Sequence, residues 1–327
     1  MTYEDVLKEI SQTSDKLIVM TAENRAAIRN LPPHLGKRFI DVGICEQTMI
    51  GMAAGLALRG RFPITHALAT FLVFRAYEFI RDDIALPNLP VKMVGGVPGF
   101  LSDANGPTHQ AIEDVALMRT LPNVMVFCPS DAEELAQGIK VLAEYPAPCY
   151  IRHNPHPASV AHTPFEIGKA EVLSDGNDVA ILVYGFLLRE AVKAKDILEA
   201  KGKSVRLVNI RMPKPIDERV ILNAVKDCRL VVTLEDHFLT GGLYSIVAEL
   251  LLKHRSVGNV LPIALEHKWF KPALLDRVLG IRRLYRETTC GKNFNTTITN
   301  IRALLKQTLV YDNNAVSTIK RIFGHPC

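Results

Sequence analysis

The sequence predicts an α/β protein built as two successive domains, each a largely parallel sheet covered by helices, the first over residues 1–152 and the second over 168–306. Two features point there. Apolar runs of strand length alternate with longer segments of helical period through both regions. Between them, residues 153–167 begin with the Pro-rich, polar HNPHPASVAHTP, which has no hydrophobic period and reads as a linker. A poorly patterned tail follows over 307–327, with a short amphipathic segment at 316–323.

In the first region the expected strands are LIVM (17–20), FIDVGI (39–44), VKMVGGV (91–97), NVMVF (123–127) and CYIR (149–152). Continuous apolar runs of this kind suit parallel strands covered on both faces. Helical patterns occupy 47–58, 71–86, 109–119 and 131–144, with Asp131 after Ser130 as a plausible start for the last. In the second region the strands are DVAILVY (178–184), SVRLVNI (204–210), RLVVTLE (229–235) and NVLPIAL (259–265). Helices over 187–200, near 217–226 and over 243–253 separate them, the last after a Gly-Gly turn at 241 and 242.

Composition excludes several classes. With 327 residues, 48% of them hydrophobic, the chain can bury two cores. A net charge of +5, from 39 basic and 34 acidic residues, is too mild and dispersed for nucleic-acid binding, though compatible with small anionic substrates. The six cysteines show no CxxC pair or metal spacing, as expected of reduced thiols. Cys45, beside Glu46, reads as a small apolar filler, and the three histidines of 153–167 lack the framework of a metal site. The start, MTYEDVLKEI, is no leader peptide and no run reaches membrane-spanning length, so a cytoplasmic location is expected.

Three features carry chemistry. Glu46 falls at a strand-to-helix turn, where open α/β sheets bind ligands, and Gly43 rather than Ser or Thr stands at the capping-box position. Apolar Met49 and Ile50 and small Gly51, Ala54 and Gly55 offer that carboxylate little polar company, so it is either a ligand-binding acid or an ordinary first-turn acid favoured by the helix dipole. GPTHQAIED (106–114) is expected to open a helix with His109 in its first turn, where it either caps its own helix or exchanges a proton with a substrate oxygen. Phe71, Phe74 and Tyr77 recur at three-residue steps, fanning over one side of a helix as a surface for a flat ring or simply as core packing.

The order and spacing of DVGICEQTMIGMAAGLALRG, TFLVFRAYEFIRDDIALPNLPVK and GPTHQAIEDVALMRTLPNVMVFCPSDAEE closely resemble the pyrimidine-binding domain of transketolases. The following region resembles the transketolase C-terminal domain, most clearly in LEDHFLTGGLYSIVAELL (234–252). The magnesium- and diphosphate-binding Gly-Asp-Gly motif of complete transketolases is missing; the near miss SDGND (174–178) precedes a strand. The resemblance therefore implies the C-terminal subunit of a split transketolase. Its N-terminal partner subunit would bring the Mg2+ and diphosphate half of a shared thiamine diphosphate site, and a homodimer core would sit within an α2β2 assembly.

By the same resemblance, Glu46 would hydrogen-bond the pyrimidine nitrogen and favour the imino tautomer that removes the thiazolium proton. Phe71, Phe74 and Tyr77 would pack on the aminopyrimidine, His109 would contact the ketose oxygen, and Arg152 would grip a terminal substrate phosphate. This chain itself would bind no metal. Two positions depart from the family: Asn105 where an Asp reads a sugar hydroxyl, and Val97 where a His binds substrate, which should alter the preferred sugar. TAENRAAIRN (21–30) lacks the family's phosphate-binding serine, although Asn24 or Arg25 could substitute. A 2-oxo acid dehydrogenase β subunit, which GPTHQAIED disfavours, and a non-catalytic structural or regulatory homologue are the competing readings.

Overall fold

The computed structural model describes residues 2–265 and Trp269, so the expected tail over 307–327 and the distal part of the second domain lie outside the described residues. The chain opens with α1 (Tyr3–Thr13), started by a capping box: the Asp5 amide donates to the Thr2 hydroxyl and the Thr2 amide to the Asp5 carboxylate. The fully buried β1 (Leu17–Thr21), α2 (Pro32–Leu35), β2 (Phe39–Asp41), α3 (Glu46–Leu58) and β3 (Phe62–Leu68) follow. Residues 71–85 form a helical segment of mixed winding: wide π turns at Phe71–Arg75 and Ile80–Ala85 flank α4 (Tyr77–Phe79). Then come β4 (Lys92–Gly96), α5 (Asp114–Thr120), β5 (Met125–Phe127), α6 (Ala132–Leu142) and β6 (Cys149–Arg152).

These six strands make one parallel sheet, ordered β2-β1-β3-β4-β6-β5. β3 is central, yet the sequence pattern did not reveal it. Pro63 and His66 interrupt its apolar run, and proline argues against a central strand. Pro63 is tolerated as the second residue of the strand, and His66 is satisfied in the core by the Tyr3 hydroxyl at 2.8 Å and the Met20 carbonyl at 3.0 Å. Burial pushes the His66 imidazole down to about 3, so it remains neutral there.

A second sheet holds β7 (Glu171–Ser174), β8 (Val179–Val183), β9 (Val205–Asn209), β10 (Leu230–Phe238) and β11 (Val260–Leu265), ordered β11-β10-β8-β9-β7. It is parallel except for β7, an unanticipated antiparallel edge strand. Helices α7 (Leu188–Glu199), α8 (Glu218–Asp227) and α9 (Leu243–Lys253) cover it where their periods predicted. One apolar cluster runs from Met49 and Tyr150 of the first sheet region to Ala180, Val208 and Leu243 of the second, so the two sheets share a core.

The segment over 153–167 has no helix or strand, but it is more than a spacer. The His162 side chain is buried, with Nε2 on Asp131 at 2.7 Å and Nδ1 on Glu171 at 2.8 Å. Arg211 joins Glu134 and Glu171, each at 2.7 Å, and Asn209 donates to both carboxylates. α6, the crossing segment, β7 and β9 are thereby tied into one buried ion network. Burial alone would push His162 down, but hydrogen bonds to Asp131 and Glu171 and the charge of Glu134 outweigh it and hold the imidazole at about 10.

The folded value exceeds the ordinary 6.5, so the network's stabilisation through His162 is complete below about pH 6.5 and is lost as pH rises through 10. Unfolding stability of the wild-type chain is expected to fall across that window. His162→Gln should flatten the dependence and cost about 3 to 5 kcal/mol at pH 6.5, as for removal of one partner from a buried ion pair, measured by denaturant unfolding.

Candidate functional site

The site forms where β1, β2 and β4 end, at the carboxyl edge of the first sheet. Asp41 closes β2 and accepts the Gly43 amide at 2.9 Å, while Gly43 takes the left-handed φ of 71° needed for the turn. Cys45 precedes α3 without a side-chain cap, and Glu46 becomes the first helical residue, 1% exposed. The carboxylate has a polar partner that the sequence pattern did not reveal. Arg75 donates from Nη1 to Glu46 Oε2 at 2.7 Å, with a side chain 39% exposed.

Arg75 reaches the acid because of how its segment winds. A π turn is wider than an α turn, so residues four and five apart, rather than three, overlie one another. The Arg75 guanidinium accordingly lies 4.4 Å from the Phe71 ring centre, a cation–π contact. Phe71 in turn meets the His109 ring edge-on, 5.1 Å between centres. Glu46, Arg75, Phe71 and His109 thus form one continuous chain of contacts, while Phe74 presents a 39% exposed ring nearby on the same segment. Tyr77 does not share this fan: its hydroxyl donates to the Leu117 carbonyl at 3.1 Å and lies 3.0 Å from the Thr120 hydroxyl, committing it to α5.

His109 is not in a helical turn. α5 begins only at Asp114, and the GPTH segment is a turn closed by the His109 amide on the Gly106 carbonyl at 3.0 Å. The expected helix over 109–119 fails at its start because the chain must first dip into the core, burying Gln110, Ala111 and Ile112. The half-buried His109 has Nδ1 2.9 Å from the Thr108 hydroxyl. Asn105 is exposed at the end of the 3-10 turn Gly99–Asn105, its amide donating to Ser102 at 3.3 Å. Val97 follows β4 with φ 44°, a strained setting for a β-branched residue and one often found at functional sites. Glu113 lies four residues after His109, and burial pushes its carboxyl up to about 7.

Arg152 is displaced from its expected role. It is 2% exposed, and its fork is taken up by Asp114 (Nε at 2.9 Å, Nη2 at 3.2 Å), Asp236 (Nη1 at 2.7 Å) and the Ala111 carbonyl (Nη2 at 3.2 Å). A guanidinium so buried and paired is not presented to a substrate phosphate. An open cleft of about 600 Å³ instead lies beyond β1 and β2, lined by Glu23, Asn24, Arg25, Arg29, Asp41 and Gly43. Arg25 is bonded there by Asp41, whereas Arg29 has no carboxylate partner among the described residues.

The second region offers no diphosphate motif at SDGND. Asp175 pairs with Arg206, and Asp178 accepts from Ser204. Glu134, His162 and Glu171 could bring ligand atoms within 4.8 Å of one another, but Arg211 occupies the place of a cation among them. The polar run Glu235-Asp236-His237 went unread as a functional element, although three titratable residues inside a buried strand are themselves a signal.

Two mostly parallel α/β units, the first with a buried acid at the head of α3, define the class of fold. Comparison with known proteins is consistent with it. Residues 1–155 match the family "Transketolase, pyrimidine binding domain" and residues 168–279 match "Transketolase, C-terminal domain". A 6-deoxy-6-sulfo-D-fructose transketolase subunit of Clostridium sp. (strain MSTE9) is 36% identical over 255 residues, covering 76% of this chain and 79% of that protein. A putative transketolase C-terminal section of Methanocaldococcus jannaschii is 34% identical over 284 residues, covering 85% and 89%. A solved structure described as "Split gene transketolase, inactive beta4 tetramer" superposes with a TM-score of 0.80 at 33% identity, covering 93% and 96% of the two chains. The chain belongs to the transketolase family.

Removing the Arg152 fork would leave Asp114 and Asp236 buried without their cation. Arg152→Met is expected to cost about 3 to 5 kcal/mol in chemical denaturation, whereas loss of an exposed phosphate-gripping arginine would change stability by no more than about 0.5 kcal/mol.

Proposed function

We propose that this chain supplies the pyrimidine half of a thiamine diphosphate site in a two-chain transketolase, which moves a two-carbon ketol unit from a ketose to an aldehyde acceptor. The observation that carries this reading is the contact chain Glu46–Arg75–Phe71–His109, which sets an acid, an aromatic surface and a proton-exchanging imidazole side by side. Those residue types fit an aminopyrimidine: a carboxylate for its ring nitrogen and aromatic faces for its plane.

Thiamine diphosphate, when bound, supplies the carbanion chemistry that side chains lack. Glu46, buried at the head of α3, would hydrogen-bond the pyrimidine ring nitrogen. Arg75 orients that carboxylate, and His109 would move a proton at the ketose oxygen. Arg29, in the cleft beyond β1 and β2, is the better candidate for a substrate's terminal anionic group, since Arg152 and Arg25 are each held by carboxylates. Asn105 and Val97 border the substrate space and would set its preference.

The face around the site supports a need for a partner. α3 carries no charged residue between Glu46 and its C-cap Arg59, and beyond Gln47 and Thr48 it is built of apolar residues and glycine alone, as buried helices are. Yet Ile44 is 67% exposed and Leu58 71%, and Met52, Phe74 and Phe79 also face outward. Such a surface calls for cover by another subunit: a second copy across α3 and an N-terminal subunit bringing Mg2+ and the diphosphate contacts. Among the described residues no helix is long and apolar enough to cross a membrane.

The purified chain alone should bind thiamine diphosphate weakly and show no ketol transfer until mixed with a chain carrying the diphosphate motif; robust transfer by the chain alone would overturn the shared site. In the reconstituted enzyme, Glu46→Ala should lower kcat by about 10²- to 10⁴-fold, as for loss of a general acid–base group. Asn105→Asp, which changes one hydrogen-bond partner, should change kcat/KM by no more than about tenfold. Equal losses in a steady-state assay would make Glu46 structural.

A further inference from the structure

Two consecutive carbonyls just downstream of His109 are bound to the rest of the molecule. The Ala111 carbonyl accepts the Gly99 amide at 2.9 Å and Arg152 Nη2 at 3.2 Å, and the Ile112 carbonyl accepts the Phe238 amide at 3.1 Å. Phe238 ends β10 in the second domain, and the two residues before it complete the grip. Asp236 holds Arg152 at 2.7 Å, and that same guanidinium spans Asp114 at the start of α5. His237 Nδ1 lies 2.6 Å from the Phe238 carbonyl, so Nδ1 carries the proton and Nε2 is an acceptor.

His237 Nε2 accepts the Ala116 amide at 3.2 Å, one of the amides a helix leaves unpaired at its start. Glu113, at the N-cap, makes no such side-chain bond, so a histidine from the other domain caps α5. Asp236 and His237 are completely buried. Gly99 makes room for this contact, since a Cβ there would lie 1.6 Å from Asp236 Oδ2.

We propose that Asp236, His237 and Arg152 are positioning residues, through which the C-terminal domain fixes the exit of the loop carrying His109 and so sets the orientation of its imidazole. The chemical consequence rests on the ketol-transfer reading, whereas the tether is a property of the chain by itself. Asp236→Ala and His237→Ala should each speed amide hydrogen exchange across residues 109–113 by tenfold or more, with exchange in β1 and β3 unchanged. The His109 ring resonance should move in the NMR spectrum while those of His34 and His254 stay in place.

Asp236→Asn keeps an acceptor for Arg152 and should restore both readouts towards wild type. Should Asp236→Ala fail to fold, His237→Ala supplies the same measurement. In the enzyme reconstituted with its partner chain, the alanine variants should lose kcat with KM little changed, and Asp236→Asn should recover it. Unchanged exchange and an unmoved His109 resonance in the folded alanine variants overturn the tether, as does acceleration spread evenly over both sheets. Loosened loops together with no ketol transfer by the wild-type enzyme uphold the tether and overturn the ketol-transfer reading instead.

Discussion

The Arg152 guanidinium, buried between Asp114 and Asp236, is the contact on which the arrangement of the two domains turns. Burying a charge is costly unless it is paired and hydrogen-bonded, and here one cation meets two carboxylates and a carbonyl. The second carboxylate is in surplus. Burial pushes Asp236 up to about 6 and its neighbour Glu235 up to about 8, the direction expected where surplus negative charge is taken out of water. Glu235 is also put to use, accepting the Leu243 and Tyr244 amides at the start of α9. One three-residue run in β10 therefore caps its own domain's helix, bridges to β6 and caps α5 of the other domain.

A second buried network lies along the same seam and works with a different balance. Three carboxylates, Asp131, Glu134 and Glu171, surround Arg211 and His162, and here the hydrogen bonds keep the imidazole charged. Glu171, which burial would raise, is brought down to about 2 by His162, the Thr163 amide and Arg211. This explains why the crossing segment is polar and irregular without being loose. Its histidine and threonine are the connectors between α6 and β7, a role that an apolar segment could not fill.

The candidate site occupies the opposite situation, at an edge left open. Arg75 bridges acid and aromatic ring while remaining partly exposed, and the helix that starts at Glu46 packs Met49, Ile50 and Ala53 into the core while leaving apolar Met52 and Leu58 outward. A well-packed scaffold thus ends in an exposed apolar surface beside the buried acid. Fixing the His109 loop from the C-terminal domain accords with the proposed shared site, in which this chain's residues would keep their geometry before a partner binds.

Strand and helix periods read from the sequence agree with most of both sheets, and α9 runs over the residues its period indicated, because apolar burial on two faces leaves a plain local pattern. β3 escaped because Pro63 and His66 break that pattern, and α5 begins late because core contacts of Ala111 and Ile112 override local helical period. Family motifs made Glu46, Phe71 and His109 visible as candidates. Only the tertiary structure decided that Arg75 meets Glu46, that Tyr77 turns to α5, and that Arg152 is buried between two carboxylates. Local sequence encodes which residues prefer to be buried or helical, but the partner of a charge is set by which distant segments the folded chain brings within 3 Å, as Asp236 is brought to Arg152.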